Sequence, residues 1–236
     1  MIQGGCAQVL AALGDVYDPE LDEPITALRF VSSCEVSPDG DVDVRLRLPT
    51  PQCAPNFAYL MAADARDALR RLPGVRDVSV VLEDHYTGKE INESLRGGGG
   101  FAQAFPGETD ETDLVALRNL FLRKALVARQ ARICESMLAN GAGVEAVASL
   151  TLAQLPDAPD ARRCRELRAR LGLAAADDAP AFVTPGGEAV AAQDLRGWLR
   201  TARLVRMSLE ANGGICRSLL SHRHGLDATS EEMIES

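Results

Sequence analysis

The chain has 236 residues, a formal net charge of −9, 46% hydrophobic and 25% charged residues, which is the composition of a folded globular protein with room for one large or two smaller domains. It contains no run of about 18 apolar residues, so a membrane span is excluded as a reading of the sequence. The acidic balance disfavours a nucleic-acid partner, because phosphate contacts need a local excess of cations, and residues 1–96 hold only nine Lys/Arg against sixteen Asp/Glu.

The N-terminus, MIQGGCAQVLAALGDVYD, lacks the basic start of a secretory signal, and a cytoplasmic protein is expected. Residues 5–13 place Val9, Leu10 and Leu13 on one face of a short helix that ends near Gly14. A strand is expected within 25–36, a turn at Ser37-Pro38-Asp39-Gly40, and a second strand over 42–48, where Val42, Val44, Leu46 and Leu48 alternate with Asp43, Arg45 and Arg47. Phe57, Leu60, Met61, Ala65, Leu69 and Leu72 then recur at helical spacing until Pro73-Gly74 ends the run. Val78, Val80 and Leu82 give a third strand. The order helix, strand, strand, helix, strand describes an α/β domain over 1–95 with a mixed or antiparallel sheet.

Arg96 is followed by four glycines, which suggests a linker over 96–112, although Phe101 and Phe105 sit four apart and can dock one helical turn. From 113 to 225 the pattern is mainly α-helical, interrupted near Pro185-Gly186-Gly187 by what reads as a small hairpin. The last residues, 226–236, form an acidic tail. Arginines such as Arg118, Arg129, Arg132, Arg163, Arg165 and Arg168 are nearly balanced by acids and recur around the helices, so solvated salt-bridged faces are expected.

Two short motifs carry the chemistry. Cys53 lies in LPTPQCAPNF (48–57), after a strand and just before a helix, where unpaired backbone N–H groups and the helix dipole favour a thiolate, although on composition alone a small apolar cysteine packed under the helix is the favoured reading. Thr50 can give its hydroxyl to the turn or to the sulfur. The second motif is Tyr17-Asp18-Pro19-Glu20-Leu21-Asp22, which on its own reads equally well as an acidic surface turn. His85, beyond the third strand, is a candidate metal ligand or a hydrogen-bonded boundary residue. Cys134, Cys164 and Cys216 fall in helical patterns and are expected to be core residues. Cys6 and Cys34 have no local motif. With no C-x-x-C pair, the six cysteines suggest neither a zinc ribbon nor a disulfide framework.

Together, DPEL at 18–21, a hairpin, TPQC at 50–53, a helix, LPGV at 72–75 and a strand resemble the iron-sulfur cluster assembly domain of the SufT/PaaD-like kind, over about residues 7–83. That family shows a D-P-E turn and a T-x-P-G-C-P-like loop whose cysteine handles metal or cluster. Asp18, Pro19, Glu20, Thr50, Pro51 and Cys53 match, whereas Gln52 and Ala54 stand where glycine and proline are usual. The remainder, with residues 84–92 and the helical half, resembles longer relatives that accompany soluble di-iron monooxygenases. The resemblance implies a metal-sulfur cluster maturation factor rather than an enzyme. It would hold an iron-sulfur cluster or iron transiently at Cys53, with Thr50, Asp18 and Glu20 around it and His85 as a lesser candidate.

One cysteine cannot close a cluster, so a homodimer or a client thiol would complete the site. The expected partner is a client protein, such as a di-iron oxygenase subunit, with no nucleic acid and no membrane. A metal-free assembly chaperone is the alternative, and a thiol enzyme is the weakest reading for want of a cysteine-histidine-carboxylate set.

Overall fold

The computed structural model describes residues 5–107 and 111–225. The acidic tail expected at 226–236 lies outside the described residues. Helix α1 spans Gly5–Leu13, and β1 (Tyr17–Asp18) and β2 (Glu23–Pro24) form a two-residue antiparallel ladder around the DPEL turn. Strands β3 (Val31–Val36) and β4 (Asp41–Arg47) form the hairpin, α2 covers Pro55–Arg70, and β5 is Asp77–Glu83. The sheet order is β3-β4-β5, with β3 antiparallel and β5 parallel to β4, so the expected mixed sheet is present. Alternation does the sorting here. Val42, Val44 and Leu46 of β4 and Val78, Val80 and Leu82 of β5 are buried, as are Leu60, Met61, Ala65 and Leu69 of α2, in keeping with the period-2 and period-3.6 patterns.

Gly40 is the residue on which the hairpin closes. Its φ is +91°, and a Cβ there would collide with the Gly74 carbonyl. The Arg76 N–H donates to the Gly40 carbonyl at 2.8 Å, and the Arg76 side chain pairs with Asp41. A glycine is required both by the left-handed backbone and by the close approach of the turn that leads into β5.

Helices α3 (Gly88–Arg96) and α4 (Phe101–Ala104) complete this part of the chain. The glycine-rich stretch does not separate two bodies, because Phe101 and Phe105 are buried in the first core, Phe101 packing edge-on against Tyr59. Then follow α5 (Glu111–Ala139), α6 (Val144–Ala148), a 3-10 turn at Leu152–Gln154, α7 (Pro159–Arg170) and α8 (Ala192–His224). The hairpin expected near 185 is reduced to a single bridge between Val183 and Ala189.

The chain divides into two compact units, Met1–Ala116 with Asn212–Ser236, and Leu117–Ala211. The end of the helical half thus belongs to the first unit, where Leu220 is 2% exposed within its core. The second unit has its own core, which includes Leu126, Cys134, Cys164, Leu167, Phe182 and Leu195. Among the described residues, no helix is long and apolar enough to cross a membrane.

Arg168 departs from the expectation of solvated arginines. It is fully buried, and its guanidinium donates to the carbonyls of Pro180 and Ala181 at 2.7 Å each. Arg163 is buried as well. Arg129 and Arg132 do pair with Asp160, and Arg165 pairs with Asp177, as the charge balance suggests.

Candidate functional site

The DPEL turn is built around Asp18. Its Oδ1 accepts the N–H groups of Glu20 at 2.8 Å and Leu21 at 2.9 Å, an Asx-type turn that an aspartate before proline favours. The carboxylate is 6% exposed. Burial raises its pKa from 3.8 to about 6, opposed by the two N–H groups and assisted by the charges of Glu20 and Glu23.

The TPQC loop is tied down by its own backbone and by the segment after β5. Thr50 Oγ1 accepts from the Gln52 N–H at 3.2 Å, so the hydroxyl serves the turn. The Tyr86 N–H donates to the Pro51 carbonyl at 3.1 Å. His85 Nε2 donates to the Cys53 carbonyl at 2.8 Å, and its Nδ1 faces the Thr87 N–H and hydroxyl at 3.3 and 3.1 Å. Both ring nitrogens are thereby engaged, and His85 fixes the loop backbone. Its pKa is lowered, by burial first and against the hydrogen bond to Cys53.

The loop presents the Cys53 thiol, half-buried, to Asp18 and Glu20. Its pKa goes up, to about 12, and not down as its place before a helix suggests. Burial is the largest cause, followed by the charges of Asp18, Cys216 and Glu20, and only the Ala54 N–H favours the thiolate. The helix start is also weaker than expected: Ala54 occupies the N-cap without a side-chain cap, and Pro55 brings no N–H. A single backbone donor does not outweigh desolvation beside two carboxylates.

Cys216 is the member of the site that sequence reasoning missed. It was expected in a helical core, yet it is half-buried and packs with Cys53 against the core of the first unit. Burial pushes its thiol to about 11, with Asp18 and Glu20 as the next causes. The signal was Asn212-Gly213-Gly214, separated from it by Ile215, glycines inside a helix costing roughly 1 kcal/mol each relative to alanine. Two thiols and two carboxylates are soft and hard donors of the kind iron accepts. Among the described residues, no three Cys, His, Asp or Glu side chains stand close enough together to hold a metal ion.

The family model described as iron-sulfur cluster assembly protein matches residues 6–81, which takes in Asp18, Glu20, Thr50 and Cys53 but not His85 or Cys216. An uncharacterized protein of Methanocaldococcus jannaschii is 36% identical over 88 residues, 37% of this chain and 90% of that protein. An iron-sulfur cluster carrier protein of Mycobacterium tuberculosis is 37% identical over 94 residues, 39% of this chain and 24% of the carrier. One from Deinococcus radiodurans is 40% identical over 73 residues, 30% of this chain and 20% of the carrier. The chain therefore spans most of the archaeal protein but a quarter or less of the carriers.

Proposed function

Because the chain belongs to the iron-sulfur cluster assembly family through its N-terminal unit, we propose that it is a maturation factor that carries iron or a nascent iron-sulfur cluster as cargo. Cys53 is the receiving thiol, Asp18 and Glu20 draw the cation in, and Thr50 and His85 hold the loop that presents the sulfur. The chain acts as a carrier and not as an enzyme. The observation that supports this best is the Cys53 thiol beside Asp18 and Glu20, all within the matched segment.

At rest the thiol holds its proton and is a poor nucleophile. An incoming cation favours the thiolate and releases that proton, so loading is an exchange of proton for metal. Ligands that the described site lacks come from a second protomer, a small thiol or the client, which keeps the cargo transferable. The client is a protein, and the resemblance of residues 84–92 and the helical remainder to companions of soluble di-iron monooxygenases favours an oxygenase subunit. A metal-free assembly chaperone is the second reading, favoured by the high pKa of Cys53.

Anaerobic reconstitution of the full chain with iron and sulfide, read by absorbance and metal content, tests the first reading. The wild type is expected to take up iron and Cys53→Ser to lose most of it. Equal uptake by the two overturns the role of Cys53, and no uptake by wild type that still co-purifies with an oxygenase subunit favours the chaperone.

A further inference from the structure

Strand β5 is the outer strand of its sheet, paired with β4 on one side. On the other side one of its residues is paired by a side chain: Asn92 of α3 accepts the Leu82 N–H at 2.8 Å and donates to the Leu82 carbonyl at 3.0 Å, as a neighbouring strand would. Both main-chain groups of Leu82 thus point away from β4. Along a strand this direction recurs every second residue, so the N–H and C=O groups of Val78 and Val80 point the same way. Among the described residues, no side chain or loop backbone bonds to them. An open edge of this kind is a template for another strand. The same edge walls a cavity of about 250 Å3 that is also lined by Arg66 and Arg70 of α2, Arg96 at the end of α3, and one acid, Asp77. Residues 1–96 as a whole hold nine Lys/Arg against sixteen Asp/Glu, so the charge balance is reversed here. Arg66 is engaged in the fold, its Nη1 donating to the Leu95 carbonyl at 2.9 Å and its Nε to Asp67 at 3.2 Å. Arg70 and Arg96 are exposed and, among the described residues, have neither an ion pair nor a hydrogen bond.

We propose that the edge of β5 over residues 78–81 is a docking site for an extended, acidic segment of a partner protein. The segment adds as a strand beyond β5, exchanging main-chain hydrogen bonds with Val78 and Val80, while its carboxylates pair with Arg70 and Arg96. Backbone bonds give such a contact its affinity, and the guanidinium groups select an acidic sequence over a neutral or basic one. Cys53, Asp18 and Glu20 take no part in it, so the inference goes beyond the carrier reading and stands or falls separately from it.

The test titrates the full chain with a short labelled peptide that alternates Glu and Val. Fluorescence anisotropy is expected to show saturable binding, weakened about tenfold in Arg70→Gln/Arg96→Gln. The same peptide N-methylated at alternate amides keeps its charges but loses main-chain donors, and it should bind far more weakly. Equal affinity in the double variant overturns the site. Equal affinity of the N-methylated peptide, or its displacement by an equal concentration of citrate, makes this a site for small carboxylates and overturns strand addition. Wild-type protein alone provides a second measurement that does not depend on a variant folding. Bound peptide should slow amide hydrogen exchange at Val78 and Val80 by about tenfold or more, and unchanged exchange there overturns the proposal. A full chain carrying Glu231→Gln, Glu232→Gln and Glu235→Gln separates the other occupant. Binding by that variant and not by wild type assigns the edge to residues 226–236 of the chain itself and overturns the partner, and binding by neither overturns the proposal.

Discussion

Each unit buries a charged side chain, and the two are satisfied in opposite ways. In the second unit, Arg168 donates to the carbonyls of Ala174, Pro180 and Ala181 and to Gln130 Oε1. Gln130 in turn accepts from the Val183 N–H at 2.7 Å. The charge is spread over carbonyl dipoles that have no other strand partner, so the guanidinium ties irregular backbone to α5 and α7. In the first unit, Asp18 accepts two N–H groups, but among the described residues it has no ion pair, and its charged neighbours are Glu20 and Glu23. A buried charge enclosed by donors or acceptors of the complementary sign is architecture, whereas one set among like charges beside thiols suits the external cation that the proposed carrier role requires.

The largest expected effect is on the architectural side. Arg168→Met keeps volume but strips the donors from several buried carbonyls, and unfolding in denaturant should show a loss of about 4 kcal/mol. A loss under about 1 kcal/mol would mean that water or rearranged backbone replaces the guanidinium, and the contrast between the units would fail.

Asp18→Asn should have the opposite sign. Asparagine can accept the same two N–H groups, and no charge is buried. The folded pKa of Asp18 lies near 6 against 3.8 unfolded, so its ionisation costs stability as pH rises between those values and costs nothing below them. The metal-free variant is therefore expected to be more stable than wild type by about 3 kcal/mol at pH 7, the gap closing toward pH 4. The same substitution should weaken metal uptake, a trade of function against stability. Equal stability at pH 7 would show that Asp18 is compensated after all.

Much of this was readable in the chain. Strict alternation in 42–48 and 78–82, helical spacing in 57–72, and the paired DPEL and TPQC motifs specified the sheet, its covering helix and the two site loops, because each pattern is local. What was not readable depends on long-range placement. The pKa of Cys53 follows from burial and from Asp18, some 35 residues earlier in the sequence, and not from its position before α2. Arg168 reads as a surface arginine on an arginine-rich helix until the carbonyls of residues 180 and 181 are seen to surround it. Cys216 looked like helix core because α8 carries a continuous periodic pattern through a point at which its partners change.

Cys6 and Cys34 make the same point with a sharper consequence. They lie 28 residues apart without a motif, yet their sulfurs are 2.6 Å apart and both are free. A diamide-type oxidant, accepting two electrons as the thiols release two protons, should link Cys6 to Cys34 and raise stability by about 2 kcal/mol. Peptide mapping identifies the pair. If Cys6 and Cys34 stay reduced while another pair links, their contact does not govern reactivity.

The smallest effect is expected at His85. Its ring joins the Cys53 carbonyl to Thr87, so His85→Ala removes one partly buried hydrogen bond and should cost about 1 kcal/mol. Because its folded pKa lies below the ordinary 6.5, the unfolded chain takes up this proton first, and stability from this residue falls as pH drops below about 6.5. The variant should lose that slope, which has the opposite sign to that of Asp18 and is separable from it by measuring both variants across pH 4–8. Freed from its anchor, the loop should also open more often, and alkylation of Cys53 should quicken several-fold while Cys134, in the second unit, keeps its rate. Unchanged Cys53 labelling together with lost metal uptake would assign His85 a ligand's role in place of the loop anchor described here.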